Sequence, residues 1–236
     1  MMIYLLAAAF LFALIEWIGE YKKNDSLIFF SKPLVLILLL VWSLTQINFS
    51  DLNLVAYDFP IIWFFSGLFF CLIGDIFLMF PDKYLVPGVL FFLLGHVFYI
   101  MGFGLLVPPF YNLIPGVIVF MMICLVSTTV YLKIRKGLIT SDEEKLIFPF
   151  AIYSIVISIM LYTALLTLVD REWNYIPALF VSIGALSFYI SDIMYAWARF
   201  VEKIPSGRLK VMITYHLAQI AIAVGAVLHY IYPPET

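Results

Sequence analysis

Two aspartates stand where the surrounding sequence offers them no partner. The segment FFCLIGDIFLMF, residues 69–80, sets Asp75 among apolar side chains and one glycine, and LSFYISDIMYAW, residues 186–197, sets Asp192 in a second apolar run. Two carboxyl groups in one apolar site are suited to acid and base chemistry. They interact strongly enough for one to hold a proton while the other stays ionised, so one protonates a substrate atom as the other activates a water. A structural ion pair or a hydrogen bond that staples helices is the plainer alternative.

Other chemistries have weaker support. The three histidines, His96, His216 and His229, form no H-E-x-x-H or clustered pattern. A site of His96, His216, Asp75 and Asp192 stays geometrically conceivable, but the expectation is no metal and no cofactor. There is no G-x-S-x-G and no glycine-rich phosphate loop, and neither Cys71 nor Cys124 adjoins a histidine. Both cysteines read as small buried hydrophobes.

The elements that hold these residues follow from composition. Of 236 residues 65% are hydrophobic and 12% charged, with a mean hydropathy of +1.09. A soluble domain of this length cannot hide so much apolar surface, so the solvent is lipid. Apolar stretches at about 1–18, 27–44, 60–80, 84–107, 111–132, 147–169, 175–200 and 209–231 each suffice to cross a membrane. The first, with no basic segment before it, reads as a helix that stays rather than a signal peptide. Between them lie GEYKKNDS, TQINFSDLNLVAYDFP, PDK, VPPF, KIRKGLITSDEEK, VDREWN and EKIPSG, none long enough for a soluble domain. The expectation is an all-α polytopic protein of eight transmembrane helices, with residues 1–236 forming one integral membrane domain.

Charge sets the direction. In an eight-span chain Lys22, Lys23, Lys32, Lys83, Lys133, Arg135, Lys136, Lys145, Arg199, Lys203, Arg208 and Lys210 fall on one side and Arg171 alone on the other. The positive-inside rule puts both termini outside, and the expected location is the bacterial inner membrane. A net charge of −2 gives no reason to expect a nucleic-acid partner. GLFFCLIGDI from Gly67 and GALSFYISDI from Gly184 also align, which raises a parallel four-plus-four pseudo-repeat.

In this arrangement Asp75 sits about 8 Å and Asp192 about 12 Å from the cytoplasmic ends of helices 3 and 7, at 1.5 Å per residue. An aspartate at a helix centre costs roughly 2.5–3.5 kcal/mol to insert, so both should face a polar cavity. Glu16 and Lys32 fall near the same face, where Lys32 either snorkels or contributes to the site. His96 with Tyr99 in helix 4, and Tyr215 with Gln219 four apart in helix 8, are further candidates, with Tyr153 in helix 6 as possible lining. His216 points away from the Tyr215–Gln219 stripe.

These residues lie in motifs with a resemblance. SKPL, GLFFCLIGDIFL, FFLLGHVFYI, GALSFYISDIMYA and YHLAQI, in order from Ser31 to Gln219, are similar to those of the bacterial and animal lysoplasmalogenase-like membrane proteins. The resemblance carries over Lys32, Gly74, Asp75, His96, Tyr99, Ser191, Asp192, Tyr215 and Gln219. It implies hydrolysis of the vinyl ether bond of a lysoplasmalogen, a lysophospholipid bearing ethanolamine or choline, to a fatty aldehyde and the glycerophospho-alcohol. On this reading Asp75 and Asp192 are catalytic, and Lys32, Glu16, His96, Tyr99, Tyr153, Ser191, Tyr215 and Gln219 surround the substrate, with Lys32 or Glu16 near the headgroup. The oligomeric state stays open. A small lipid or solute transporter using the same polar cavity is the alternative, and a purely structural role is a third. A carrier would carry helix breaks at midplane, whereas the Pro and Gly breaks sit at span ends, GFG in helix 4 excepted.

Overall fold

The computed structural model describes residues 3–47, 60–80, 82–104 and 112–232. They form eight α-helices: α1 (Ile3–Lys22), α2 (Asp25–Thr45), α3 (Ile61–Leu78), α4 (Leu85–Phe103), α5 (Leu113–Thr140), α6 (Ile147–Leu166), α7 (Tyr175–Phe200) and α8 (Gly207–Tyr230). All eight are long and apolar enough to span a membrane, and no strand occurs among the described residues. The expected breaks after helices 2 and 4 fall mostly at 48–59 and 105–111, outside the described residues.

Four short connections, α1–α2, α3–α4, α5–α6 and α7–α8, share one end of the bundle, the connection face. Three of them turn on a non-glycine residue of positive φ: Lys23 at 54°, Asp142 at 57° and Ser206 at 53°. After Lys23, the Asn24 side chain accepts a hydrogen bond from the Leu27 N–H at 3.2 Å, so α2 starts capped only two residues beyond α1. Three boundaries differ from the sequence expectation. Helix α5 runs on to Thr140 through KIRKGLIT, whose one glycine, Gly137, packs closely against Phe200 instead of ending the helix, and so Lys133, Arg135 and Lys136 are helical. Helix α3 stops at Leu78, leaving Asp75 one turn from its end. GFG lies at the end of α4, where Gly104 takes the left-handed cap at φ 76°, and not at mid-helix.

In lipid, helices gain little from burying apolar area, so close packing of small residues has to hold them. The α3–α4 hairpin shows this along its length. A Cβ on Gly67 would lie 2.6 Å from Tyr99, on Gly95 2.6 Å from the Cys71 sulfur, and on Gly102 2.5 Å from Phe64. Gly88, Gly95 and Gly102 recur every seven residues, two turns, on one face of α4. The α7–α8 hairpin repeats the device, with Gly184 against Ile222 and Gly225 against Val181. Gly67 and Gly184, the aligned positions of the internal echo, thus both lie where a partner helix passes closely. Helix α5 differs. Ile114, Met121 and Leu125 are 65–74% exposed, as suits a peripheral helix facing lipid.

Candidate active site

A cavity of about 780 Å³ enters the bundle from the connection face. Its mouth is lined by Glu20, Asp25, Arg199 and Arg208, and its depth by Lys32, Asp75, Tyr153, Ser191, Asp192 and Tyr215. Three helices use one spacing to connect mouth and depth. Asp25 and Lys32, Arg199 and Asp192, and Arg208 and Tyr215 are each seven residues apart, which keeps both members on one helix face about 10 Å apart along the axis. Much of the remaining wall is apolar: Leu78, Val89 and Phe92 from the α3–α4 hairpin, Val130 and Ile134 from α5, Phe150 and Ile157 from α6.

Asp75 is fully enclosed and paired on both oxygens. Lys32 Nζ lies 3.1 Å from Oδ1, and the Tyr215 hydroxyl donates to Oδ2 at 2.6 Å. Lys32 therefore does not snorkel: its side chain is 11% exposed, turned inward from the early part of α2. Pro33 follows it inside the helix and removes one backbone N–H beside the cavity.

Asp192 lies in a second cluster. The Tyr153 hydroxyl donates to its Oδ2 in a short hydrogen bond, and His96 Nε2 is 3.2 Å from the same oxygen and 3.0 Å from the tyrosine hydroxyl. His96 Nδ1 has no hydrogen-bond partner among the described residues. The Asp192 side chain keeps 18% of its surface exposed, against 2% for Asp75.

The other candidates are distributed around these two clusters. Ser191 lines the cavity with its hydroxyl on the Val211 carbonyl at 3.0 Å. Tyr99 and Gln219 are bonded to each other at 2.6 Å in the layer behind the cavity wall. Glu16 is also set back from the wall. It is fully buried, no donor among the described residues meets its carboxylate, and His216 Nδ1 lies 3.9 Å away while accepting from Trp17 Nε1 at 3.2 Å. Glu20, one turn further along α1, lines the cavity where Glu16 does not, and faces Arg208 at 2.9 and 3.0 Å. Sequence reading also missed a hydroxyl chain on the wall, where Ser127 of α5 reaches Tyr189 at 2.6 Å and Ser158 at 2.7 Å. The seven-residue spacing of charged and site residues was the available signal for the mouth. No such pattern marks the hydroxyl chain, whose members come from three helices.

The three histidines occupy three different places, His96 beside Asp192, His216 against Trp17, and His229 stacked on Trp173 at 3.8 Å. Among the described residues no three His, Cys, Asp or Glu side chains gather in a metal-binding group.

Fold and cavity define a polytopic helical membrane protein with a polar site reached from one end of the bundle. The chain belongs to the YhhN family, whose family model matches residues 27–226. It is also similar to lysoplasmalogenase TMEM86B of Rattus norvegicus, with 29% identity over 102 residues, 43% of this chain and 40% of that protein. Lysoplasmalogenase TMEM86B of Homo sapiens is 31% identical over 84 residues, 36% of this chain and 33% of that one. The matched stretches span well under half the length of these relatives. No solved structure matches the chain.

Proposed function

We propose that this protein is an intramembrane hydrolase that cleaves the vinyl ether bond of a lysoplasmalogen. The observation that carries the reading is one cavity lined by both Asp75 and Asp192 and walled by apolar side chains, which suits a single-chain lipid with a polar head. Membership of the YhhN family and similarity to proteins named lysoplasmalogenase support it. In the reaction a proton goes to the β-carbon of the alkenyl ether, giving an oxocarbenium ion at the α-carbon. Water adds there, loses a proton, and the hemiacetal collapses to the aldehyde and the glycerophospho-alcohol. Asp192, which faces the cavity and shares its hydrogen bonds with Tyr153 and His96, is the group that delivers the proton. Asp75, bonded to Lys32 and Tyr215, orients the water and offsets the developing positive charge.

The lining residues come from the half of the bundle at the connection face, so substrate enters from one side. This supports a hydrolase over an alternating-access carrier. By the positive-inside rule that face is cytoplasmic, with both termini outside, in a bacterial inner membrane. Cysteines introduced at Thr140 and Glu172, in a background lacking Cys71 and Cys124, are expected to label from opposite sides of intact membranes, Thr140 from inside. Labelling from one side would refute the orientation. The reaction itself is tested by incubating purified protein in detergent with alkenyl, alkyl and acyl lysophospholipids. Aldehyde should appear from the alkenyl lipids alone, and its absence from all of them would refute the hydrolase reading.

A further inference from the structure

The ion pair between Glu20 and Arg208 joins α1 to α8 at the cavity mouth. Its two members differ in surroundings: the Glu20 side chain is 5% exposed and the Arg208 side chain 70%. An exposed pair contributes little to stability, but breaking a pair with one enclosed member leaves that carboxylate poorly solvated, so a replacement cation is favoured there. Arg208 can leave into water. Glu20 stays enclosed, so when Arg208 turns away a second cation reaching it is favoured.

The distance from the mouth to the reacting groups fits one class of ligand. Arg208 lies two turns, about 10 Å along the helix, from Tyr215, which is bonded to Asp75. In a lysophospholipid six bonds separate the phosphorus from the vinyl ether α-carbon, and four more reach the head-group nitrogen. At about 3.3–3.6 Å per three extended bonds, these span roughly 7 Å and 12 Å. With the vinyl ether between the aspartates, the phosphate and amine therefore fall at the level of Arg208 and Glu20. Both signs of charge stand there, Glu20 and Asp25 beside Arg199 and Arg208, which matches a zwitterionic head better than a purely anionic one.

Resting on the proposed hydrolase reading, we infer that Glu20 and Arg208 form the head-group subsite and exchange partners on binding, Arg208 turning to the phosphate and Glu20 to the amine. The chemistry of the amine then sets specificity. A primary ammonium has three N–H donors and can replace the guanidinium hydrogen bonds on the enclosed carboxylate, whereas a trimethylammonium has none. Glu20 thus selects ethanolamine over choline heads, and Arg208 binds the phosphate common to both.

The test measures binding, not turnover. Saturated 1-O-alkyl lysophosphoethanolamine and lysophosphocholine have no alkene to protonate and can be titrated against the purified full chain in detergent. The parent protein should bind the ethanolamine lipid roughly tenfold more tightly, the scale of a charge-assisted hydrogen bond. Glu20→Gln should bring that ratio close to one, while Arg208→Gln should weaken both ligands about equally and leave the ratio in place. Equal affinities in the parent, or an unchanged ratio in Glu20→Gln, would overturn the subsite. If Glu20→Gln does not survive extraction, Arg208→Gln decides alone: unchanged affinity for both lipids overturns the proposal. Aldehyde release from alkenyl lipids, assayed in parallel, separates the two readings. Head-group selectivity without aldehyde defeats only the hydrolase, and aldehyde without selectivity defeats only the subsite.

Discussion

Asp75 and Asp192 line the same cavity, but their surroundings differ. Asp75 has a lysine on one oxygen and a tyrosine hydroxyl on the other, and almost none of its surface is open. At Asp192 a tyrosine and a histidine converge on one oxygen, and part of the side chain faces the cavity. A carboxylate bonded on both oxygens, to a buried ammonium and a phenol hydroxyl, is fixed in place. A carboxylate in a cluster of Tyr, His and Asp, all able to hold or pass a proton, is arranged for exchange. Similar placement in the sequence therefore does not mean equal roles, since the partners come from other helices, Lys32 on α2 and Tyr215 on α8 in one case, His96 on α4 and Tyr153 on α6 in the other.

The largest effect expected from this difference falls on turnover. Asp192→Asn keeps the shape of the side chain but removes the proton exchange, so kcat for aldehyde release should fall at least about 10²-fold with the protein still extractable and KM little changed. Near-normal turnover in this variant would remove the distinction between the two clusters. Asp75→Asn should also lower kcat by about 10²-fold, through loss of the charge that steadies the oxocarbenium ion.

The next effect is on stability and belongs to the Asp75 side. Lys32→Met leaves the carboxylate enclosed and unpaired, a loss of about 3–5 kcal/mol for a buried pair, read as a lower Tm in detergent. Lys32→Met combined with Asp75→Asn should recover most of it, because no bare charge remains. If the double variant is as unstable as the single one, the ion pair is not what holds α2 to α3.

Smaller effects sharpen the Asp192 side. His96→Gln should cost roughly tenfold in kcat and distort the pH profile of kcat/KM. The parent profile should be bell-shaped and report macroscopic values of the coupled groups. The smallest effect is expected from chelation, which should leave activity unchanged. Activity lost with a stoichiometric metal would move His96 into a ligand role.

Much of the fold was legible because a membrane makes hydropathy a direct structural signal. Each span had to be about 20 apolar residues, and a charge within one had to face a cavity, so Asp75 and Asp192 stood out at once. Boundaries were less visible. α5 runs through KIRKGLIT because lysine and arginine are good helix formers, and Gly137 serves there for close packing on Phe200 and not as a stop. Lys32 read equally well as a snorkelling residue, since its stem and charge suit either the lipid surface or the interior.

The sequence by itself determined the number of helices, their apolar character and the presence of two carboxyl groups inside the bundle, all of which depend on residues near one another in the chain. The tertiary structure alone decided which groups meet. Lys32 reaches Asp75 across 43 positions, and His96 reaches Asp192 across 96. It also placed Glu20 at the cavity mouth and Glu16 behind the wall, although only one helical turn separates them. Helical periodicity fixes the angle between such residues but not the direction of the cavity. That direction depends on how the glycine-seamed hairpins pack.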